Sequence, residues 1–308
     1  MKKAGSGYES RTNEVSKKWN VIFNILMVIL SLIFLLPVLL VYSVSFTSEK
    51  DLMLYGYRFI PKHLDIGAYV FLFKTGEQLL RSTLVSAFVV ITGTSLGLLI
   101  MSMFSYVLSR KDFKYRNHFS FFVFFTMLFN GGLVASYIIN VNYLHINETI
   151  FALILPIAVG PFNLIILRTF FNAAIPDAII ESARIDGANE FKIFTSIVLP
   201  LSKTGLATIA LFLVIGYWND WYMALLYITK KELIPLQFML MKIMNNLEFV
   251  RKSSGFLNSA QGAELARNIP TESGRMALVA IVMTPILLAF PFFQRYFTSG
   301  LTIGSIKG

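Results

Sequence analysis

The chain has 308 residues, of which 56% are hydrophobic and only 14% are charged. Soluble domains carry about 25% charged residues, so this composition argues against both a soluble enzyme and a disordered chain. Cysteine is absent, which excludes disulfides, thiolate metal sites and cysteine nucleophiles. The net charge of +10 directs attention to basic loops on one side of a membrane.

Six runs of the chain are uncharged or nearly uncharged, and each is long enough to cross a bilayer once. A spanning helix needs about 20 apolar residues. The runs cover residues 19–48, 82–109, 117–147, 149–167, 204–229 and 276–294. The sequence therefore predicts an all-α polytopic membrane protein with six transmembrane helices.

Lys and Arg in the short loops predict the orientation. They are concentrated before the first run, between the second and third, and between the fourth and fifth, whereas the loop between the third and fourth has none. Basic loops face the cytoplasm, so both termini are expected there. The predicted divisions are a cytoplasmic tail (1–18), transmembrane helix 1 (19–48), an extracytoplasmic loop (49–81), a transmembrane domain (82–298) that contains a second extracytoplasmic loop (229–273), and a cytoplasmic tail (299–308).

The segment 171–203, between the fourth and fifth runs, has the pattern of a helix–turn–helix. Residues 176–177 are typical of a helix start, and 178–185 are good helix formers. Gly187 permits a left-handed turn, and 189–198 form a second short amphipathic pattern. From these residues alone, the segment is either an interfacial anchor or an element with a further role.

The spacing of this segment resembles the EAA loop of ABC importer permeases. That pattern is E-A-A, three residues, G, nine residues, I, one residue, L-P, and it is matched by 181–183, Gly187, Ile197 and 199–200. Ser182 replaces the middle alanine. We call residues 171–203 the EAA segment.

Two further stretches are similar to sugar permeases of this family. The C-terminal residues 290–297 and 300–308 resemble the ending of the MalG type. Residues 129–133 with Tyr137 resemble the LplC/YtcP-like subgroup, which transports alginate, pectin-derived and other complex oligosaccharides. The resemblance covers the chain from about residue 70 to its end.

The resemblance implies a type I ABC importer permease fold, with a cytoplasmic coupling helix between helices 4 and 5 that sits in a cleft of an ATPase. Carboxylates would pair with basic partner residues, small residues would allow close approach, and phenylalanines would be apolar anchors. Charges placed only to suit the helix dipole are the alternative. The residues implied in coupling are Glu181, Ser182, Ala183, Arg184, Asp186, Gly187, Ala188, Phe191, Phe194, Ile197 and Pro200.

The same resemblance implies the partners: a second homologous permease, two cytoplasmic ABC ATPase subunits, an extracellular solute-binding lipoprotein and an oligosaccharide. The sequence contains no G-x-x-x-x-G-K-[ST] phosphate-binding loop. We therefore expect no cofactor in this chain, with ATP and magnesium bound by the partner ATPase. The expected location is the bacterial cell membrane, as a multi-pass protein.

A first candidate for the substrate path is the aromatic and polar cluster Trp218, Asn219, Asp220, Trp221 and Tyr222. Asp220 is the only acid within the six runs. Polar groups inside spans are costly and usually functional, and aromatic rings stack on sugar rings. An interfacial aromatic belt is the alternative, although it does not explain the carboxylate.

A second candidate lies in the third run, where Asn130 and Tyr137 are followed by Asn140, Asn142 and Tyr143. These residues either contact sugar or belong to a kinked helix whose amides are satisfied. The three histidines are scattered and lack the spacing of metal ligands.

Rival functions remain open from the sequence. One is an ABC importer permease for a non-sugar solute. A secondary transporter or channel would need buried ionisable relays or a filter, and only Asp220 is available. A membrane enzyme would need clustered carboxylates or histidines beside the spans. The 229–273 loop either meets the extracellular binding protein or caps the span ends.

Overall fold

The computed structural model describes residues 16–74, 76–252 and 271–304. Apart from an isolated antiparallel bridge between Thr47 and Leu64, the regular structure of these residues is helical. Most of the predicted tail 1–18, the 253–270 part of the predicted loop 229–273, and the last four residues of the predicted tail 299–308 lie outside the described residues.

The helices of the described chain are numbered in order. They are α1 (Lys17–Ser45), α2 (Glu49–Tyr55), α3 (Gly67–Lys74), α4 (Gly76–Ser109), α5 (Arg116–Leu128), α6 (Gly132–Ile138), α7 (Phe151–Ala158), α8 (Pro161–Ala174), α9 (Asp177–Ile185), α10 (Glu190–Ile193), α11 (Leu199–Leu201), α12 (Lys203–Asn219), α13 (Tyr222–Tyr227), α14 (Leu236–Lys252) and α15 (Glu272–Gly304). A π-helical turn at Ile139–Tyr143 extends α6, and another at Phe194–Val198 joins α10 to α11.

Three helices, α1, α4 and α15, are each long and apolar enough to cross a membrane. Three further pairs are apolar enough together but bent: α5 with α6 by 114°, α7 with α8 by 50°, and the α10–α11 stretch with α12 by 81°. By length and composition, the described chain therefore has three spans, or up to six if each bent pair crosses once.

Two predicted runs are interrupted where polar side chains cap the backbone. In 117–147, the Asn130 amide oxygen accepts a hydrogen bond from the Gly132 N–H at 2.9 Å, between α5 and α6. In 204–229, α12 ends at Asn219, and the Asp220 carboxylate accepts one from the Met223 N–H at 3.3 Å. Both side chains satisfy N–H groups that a helix end leaves free, so each run is two helices.

Three predicted boundaries also differ from the structure. Helix α8 continues to Ala174, so the EAA segment begins within it. Helix α14 lies inside the predicted loop 229–273 and packs against α4 and α15. Helix α15 runs on to Gly304, through the start of the predicted tail 299–308.

Helix α4 is the central element, and it packs against α7, α8, α12 and α14. Its Ser105 hydroxyl donates a buried hydrogen bond to the Leu164 carbonyl of α8 at 3.0 Å. At Gly97 the α7 backbone comes so close that a Cβ atom would lie 2.4 Å from the Ala158 carbonyl oxygen. These contacts hold α4 against both halves of the bent α7–α8 pair.

Candidate functional site

The EAA segment folds as the predicted helix–turn–helix. Gly187 follows α9 in the left-handed region, with φ of 80°. Its N–H donates to the Arg184 carbonyl at 3.0 Å, and the Ala188 N–H donates to the Ala183 carbonyl at 2.9 Å. This is the Schellman arrangement that ends a helix at glycine. Asn189 then caps α10 by accepting a hydrogen bond from the Lys192 N–H at 2.8 Å.

A chain of ion pairs ties the EAA segment to the C-terminal end of α4. The Arg184 guanidinium contacts both Glu190 at 2.8 Å and Asp112 at 2.7 Å. Asp112 also accepts two hydrogen bonds from Arg110, at 3.1 and 3.0 Å. The Tyr106 hydroxyl of α4 donates to Glu190 at 2.7 Å. The turn and the end of α4 are therefore joined by side chains from both.

The pKa values of these acids follow from their partners. Hydrogen bonds from Arg110 and then Arg184 outweigh partial burial and lower the pKa of Asp112 to about 2. Burial alone would raise the pKa of Glu190, but hydrogen bonds from Tyr106 and Arg184 outweigh it, and the pKa is lowered. Both carboxylates therefore remain charged at neutral pH.

The tip of the turn is different, because its side chains have no partners among the described residues. Ile185 is 87% exposed and Phe191 is 72% exposed. Glu181 and Asp186 are exposed, and within the described residues their carboxylates form no ion pair and no hydrogen bond. We call Glu181, Ile185, Asp186 and Phe191 the EAA tip. The sequence prediction missed Ile185, although it lies on the face opposite the buried Ile180.

Two predicted coupling residues are used inside the chain. Phe194 is only 5% exposed, with its ring 5.5 Å from that of Tyr106, so its prediction as an anchor for a partner is wrong in this conformation. Arg184 is exposed but held by carboxylates of this chain, as described above. Of the remainder, Ser182 and Pro200 are exposed, Ala188 and Ile197 are half-buried, and Ala183 is buried.

The first predicted path cluster is divided by the end of α12. Trp218 is buried, and its indole N–H donates to the Val282 carbonyl of α15 at 3.1 Å, so it holds helices together. Asn219 accepts a hydrogen bond from Gln237 at 3.2 Å. Trp221 and Tyr222 are 41% and 39% exposed and meet edge to face at 5.9 Å. These two rings are the accessible aromatic members of the cluster; Asn219 is also exposed, and Asp220 is half-buried.

The second predicted cluster is completed by a residue that the sequence prediction missed. Tyr137 stacks on Tyr227 of α13 with 5.6 Å between ring centres, and the Tyr227 hydroxyl accepts a hydrogen bond from Asn140 at 2.9 Å. The third run and the end of the fifth therefore meet here. Asn130 is exposed and caps its own turn instead.

Two other acids, Glu49 and Glu148, hold loops together at the opposite end of α4. Glu148 accepts hydrogen bonds from the Thr229 N–H and hydroxyl at 2.9 and 2.7 Å and from the Lys230 N–H at 3.1 Å. The Thr229 hydroxyl is the main cause of its lowered pKa. Glu49 similarly holds the residues 271–273 that begin α15. We call Glu49, Glu148, 229–230 and 271–273 the distal end.

No group of three or more His, Asp and Glu side chains in the described part of the chain is placed to hold a metal ion. The chemistry available at the EAA tip is charge pairing and apolar contact. At α13 it is aromatic stacking and hydrogen bonding.

Residues 99–303 match the family described as binding-protein-dependent transport system inner membrane component. Protein LplC of Bacillus subtilis is 38% identical over 275 residues, covering 89% of this chain and 90% of that protein. The polygalacturonan/rhamnogalacturonan transport system permease protein YtcP of the same organism is 37% identical over 278 residues, covering 90% and 94%.

A solved structure is also similar: a bacterial ABC transporter involved in the import of the acidic polysaccharide alginate. One of its chains is 28% identical and superposes with a TM-score of 0.77, covering 93% of this chain and 100% of that chain. The helical architecture is thus that of an ABC importer permease. The chain belongs to the family of binding-protein-dependent transport system inner membrane components, and it is a permease subunit in the membrane rather than an enzyme.

Proposed function

We propose that this chain is a transmembrane permease subunit of an ATP-driven ABC importer for oligosaccharides, complex or glycan-derived, that an extracellular solute-binding protein delivers. The name of one relative, for polygalacturonan/rhamnogalacturonan transport, and the involvement of the similar solved transporter in import of the acidic polysaccharide alginate support a sugar substrate. The remaining partners in this proposal are a second homologous permease and two ATPase subunits, which bind ATP and magnesium.

The proposal includes a finer topology. Six spans cross the bilayer, namely α1, α4, the bent pairs α5–α6 and α7–α8, then α12 and α15, with both termini in the cytoplasm. The EAA segment is then a cytoplasmic coupling helix between spans 4 and 5. The basic loops beside it support this orientation, as does its position at the end of α4 opposite Glu49 and Glu148.

The EAA tip is the single observation that carries the coupling role. Asp112, Asp177 and Glu190, at the same end of the chain, are each paired with a basic residue of this chain. Glu181 and Asp186 have no such partner in the part of the chain that the structure describes, and they flank Ile185, whose side chain is almost fully exposed. An ATPase cleft with basic residues around an apolar pocket complements this arrangement.

The ion pairs between the EAA segment and the end of α4 can transmit movement of the EAA tip to α4. When ATP closes the ATPase pair, the two coupling helices move together. Glu190 and Arg184 lie in the moving segment, and they contact Tyr106 of α4 and Asp112 just after it. Displacement of the tip therefore acts on α4, which contacts three other spanning elements, and ATP hydrolysis resets the movement.

The accessible rings Trp221, Tyr222 and Tyr137 are the proposed sugar-facing part of the path, with Asn219 and Asp220 beside them at the helix break. Rings stack on the apolar faces of sugars, while amide and carboxylate oxygens accept hydrogen bonds from hydroxyl groups. Trp218 supports this region from behind, through its bond to α15.

Co-purification tests the proposal. The tagged chain, expressed with its genomic neighbours, should bring down a second six-span permease and an ATPase with a phosphate-binding loop. Ile185→Asp and Gly187→Asp should lose the ATPase and keep the permease. Ile60→Asp is the matched control, because Ile60 is 82% exposed outside the EAA segment. A chain that purifies without an ATPase contradicts the importer.

The solute is tested on the assembled complex. ATPase activity, measured with the binding protein and a panel of oligosaccharides, should rise with at least one glycan-derived oligomer. Stimulation by peptides or other non-sugar solutes, with none by sugars, would contradict the sugar assignment and leave the permease assignment in place.

A further inference from the structure

A cavity of about 480 Å³ lies beneath the EAA segment, and the proposed function does not use it. It opens between the C-terminal end of α4, the start of α5, the C-terminal end of α8 and the start of α9. Its charged lining consists of four basic residues and one acid: Arg110, Lys111, Arg116, Arg168 and Asp177. The walls therefore carry an excess of positive charge.

Two of these cations are already neutralised. Lys111 pairs with Asp177 at 2.6 Å, and Arg110 pairs with Asp112 at 3.0 Å. Arg116 and Arg168 are half-buried, and within the described residues neither has a carboxylate partner. Arg168 only donates to the Leu108 carbonyl at 3.1 Å. Half-buried charges are costly when unpaired, so an anion in this cavity would be stabilised by both guanidinium groups.

The start of α5 adds to the positive electrostatic potential in the cavity. Arg116 is its first residue, and the side chain of the preceding Tyr115 makes no capping hydrogen bond. The Asn117 side chain also lines the cavity. Free N–H groups in the first turn of a helix favour an anion, in the same direction as the two guanidinium groups.

We propose that this cavity binds a phosphate-bearing anion, and that in the membrane this is the headgroup of an acidic phospholipid. The cavity lies at the ends of helices that cross the bilayer, which is where headgroups are found. Phe119 and Phe122 of α5 are 45% and 63% exposed, and they offer an apolar surface to acyl chains beside the mouth. Basic pockets between spanning helices on the cytoplasmic side bind such headgroups. The choice of leaflet rests on the orientation proposed above.

Native mass spectrometry of the full chain in mild detergent tests this proposal, after incubation with phosphatidylglycerol or phosphatidylcholine. Wild type should retain phosphatidylglycerol and lose phosphatidylcholine. Arg116→Gln and Arg168→Gln should each weaken phosphatidylglycerol binding about fivefold, which corresponds to about 1 kcal/mol for a basic residue near an anionic surface. Lys114→Gln is the matched control, since Lys114 is basic and exposed in the same loop but does not line the cavity.

Folding and charge are separated by two further variants. Arg116→Lys keeps the positive charge and should retain most of the binding. The Arg116 side chain makes no hydrogen bond within the described part of the chain, so Arg116→Gln should unfold at the same temperature as wild type. Arg168→Gln also loses the hydrogen bond to the Leu108 carbonyl and should be somewhat less stable.

The two sources of phosphate are distinguished by a second arm with radiolabelled inorganic phosphate. If phosphate binds wild type but not Arg116→Gln, and neither lipid is preferred, the occupant is a free phosphate group. If wild type and both glutamine variants bind phosphatidylglycerol and phosphate equally, the proposal is overturned. A cross-link from the cavity to an acidic residue of the ATPase, with no anion bound, overturns it as well.

Discussion

We call the end of α4 that meets the EAA segment the EAA end. The paired carboxylates there are held mainly by basic side chains, whereas those at the distal end are held by backbone N–H groups and hydroxyls. Asp112 and Glu190 contact Arg184. Glu49 and Glu148 accept hydrogen bonds from main-chain N–H groups and threonine or serine hydroxyls. The two ends of one protein are thus stabilised by different physical interactions.

This difference indicates which end can rearrange at a low cost in free energy. Exposed ion pairs contribute little to stability and are screened by salt, so they re-form easily with new partners. Hydrogen bonds from backbone N–H groups to a carboxylate fix one geometry and do not depend on a mobile side chain at the donor end. We therefore expect the EAA end to move and the distal end to hold its shape.

The largest effect is expected from a substitution in the middle of α4, the helix that connects the two ends. In Gly97→Ala the new Cβ would lie 2.4 Å from the Ala158 carbonyl, so α4 and α7 must separate. We expect a loss of about 2–3 kcal/mol in the free energy of unfolding, typical of overpacking, measured by titration with a denaturing detergent. Gly216→Ala, where a Cβ meets nothing within 4 Å, is the control and should be as stable as wild type. Equal stability of the two variants would show that α4 is not packed tightly against α7, and it would contradict the role of α4 as a rigid connection between the two ends.

The next largest effect is expected at the EAA tip, where a substitution should impair coupling to the ATPase without lowering the stability of the fold. Glu181→Lys reverses a charge that has no partner in the described chain, so membrane levels should not change. Substrate-stimulated ATPase activity of the assembled complex should fall at least tenfold. Glu77→Lys, an exposed charge reversal at the start of α4, should leave that activity unchanged. If both reversals act alike, coupling does not depend on the tip.

At the distal end, Glu49→Gln should cost about 1 kcal/mol, because a neutral amide replaces a charged acceptor of four hydrogen bonds. The loss in melting temperature should be the same in 0.05 and 1 M salt, since the donors are uncharged. A loss that depends on salt would contradict the conclusion that the two ends are held by different interactions.

The same residue gives a pH dependence. Burial alone would raise the pKa of Glu49, but hydrogen bonds from Thr271, Glu272 and Ser273 outweigh it, so the pKa lies below its ordinary 4.5. Its contribution is therefore complete above about pH 4.5 and is lost as the pH falls through the folded-state pKa. The melting temperatures of wild type and Glu49→Gln should converge as the pH is lowered from 7 to 3.

The smallest effect is Arg184→Gln, which removes the exposed ion pairs at the EAA end. We expect a loss of about 0.5 kcal/mol at low salt that disappears in 1 M salt. Lys192→Gln is the control in the same segment, because Lys192 has no carboxylate partner in the described part of the chain. A loss of stability that persists in 1 M salt would show that both ends are held alike.

The parts of this structure that were predictable are those fixed by local contacts. The Gly187 turn depends on hydrogen bonds between residues three to five positions apart, and the Asn189 cap on one three positions away. The spacing of the EAA segment therefore predicts its fold. The apolar runs were predictable for a different reason, since a bilayer demands about 20 apolar residues from each span.

The parts that were not predictable depend on distant partners. Phe194 looks like an exposed anchor until Tyr106, from another helix, buries its ring. The sequence predicts that Trp218 lines a path, yet its indole N–H donates a hydrogen bond to the Val282 carbonyl across the bundle. Tyr227 carries no motif, and only the approach of Tyr137 identifies it. Hydropathy records how apolar a residue is, and it does not record which helix that residue will meet.

The length of α4 has a mechanical consequence. Its 34 residues span about 51 Å, whereas the hydrocarbon core of a bilayer is about 30 Å thick. One end meets the EAA segment through Tyr106, and the other is attached at Gln78, whose amide donates to the Lys231 carbonyl at 2.9 Å. In the topology proposed above, these two ends lie on opposite faces of the membrane, and a stiff rod between them would transmit a push along its axis without intermediate steps. Events on the two faces are then timed by one rigid body, with no diffusing signal between them.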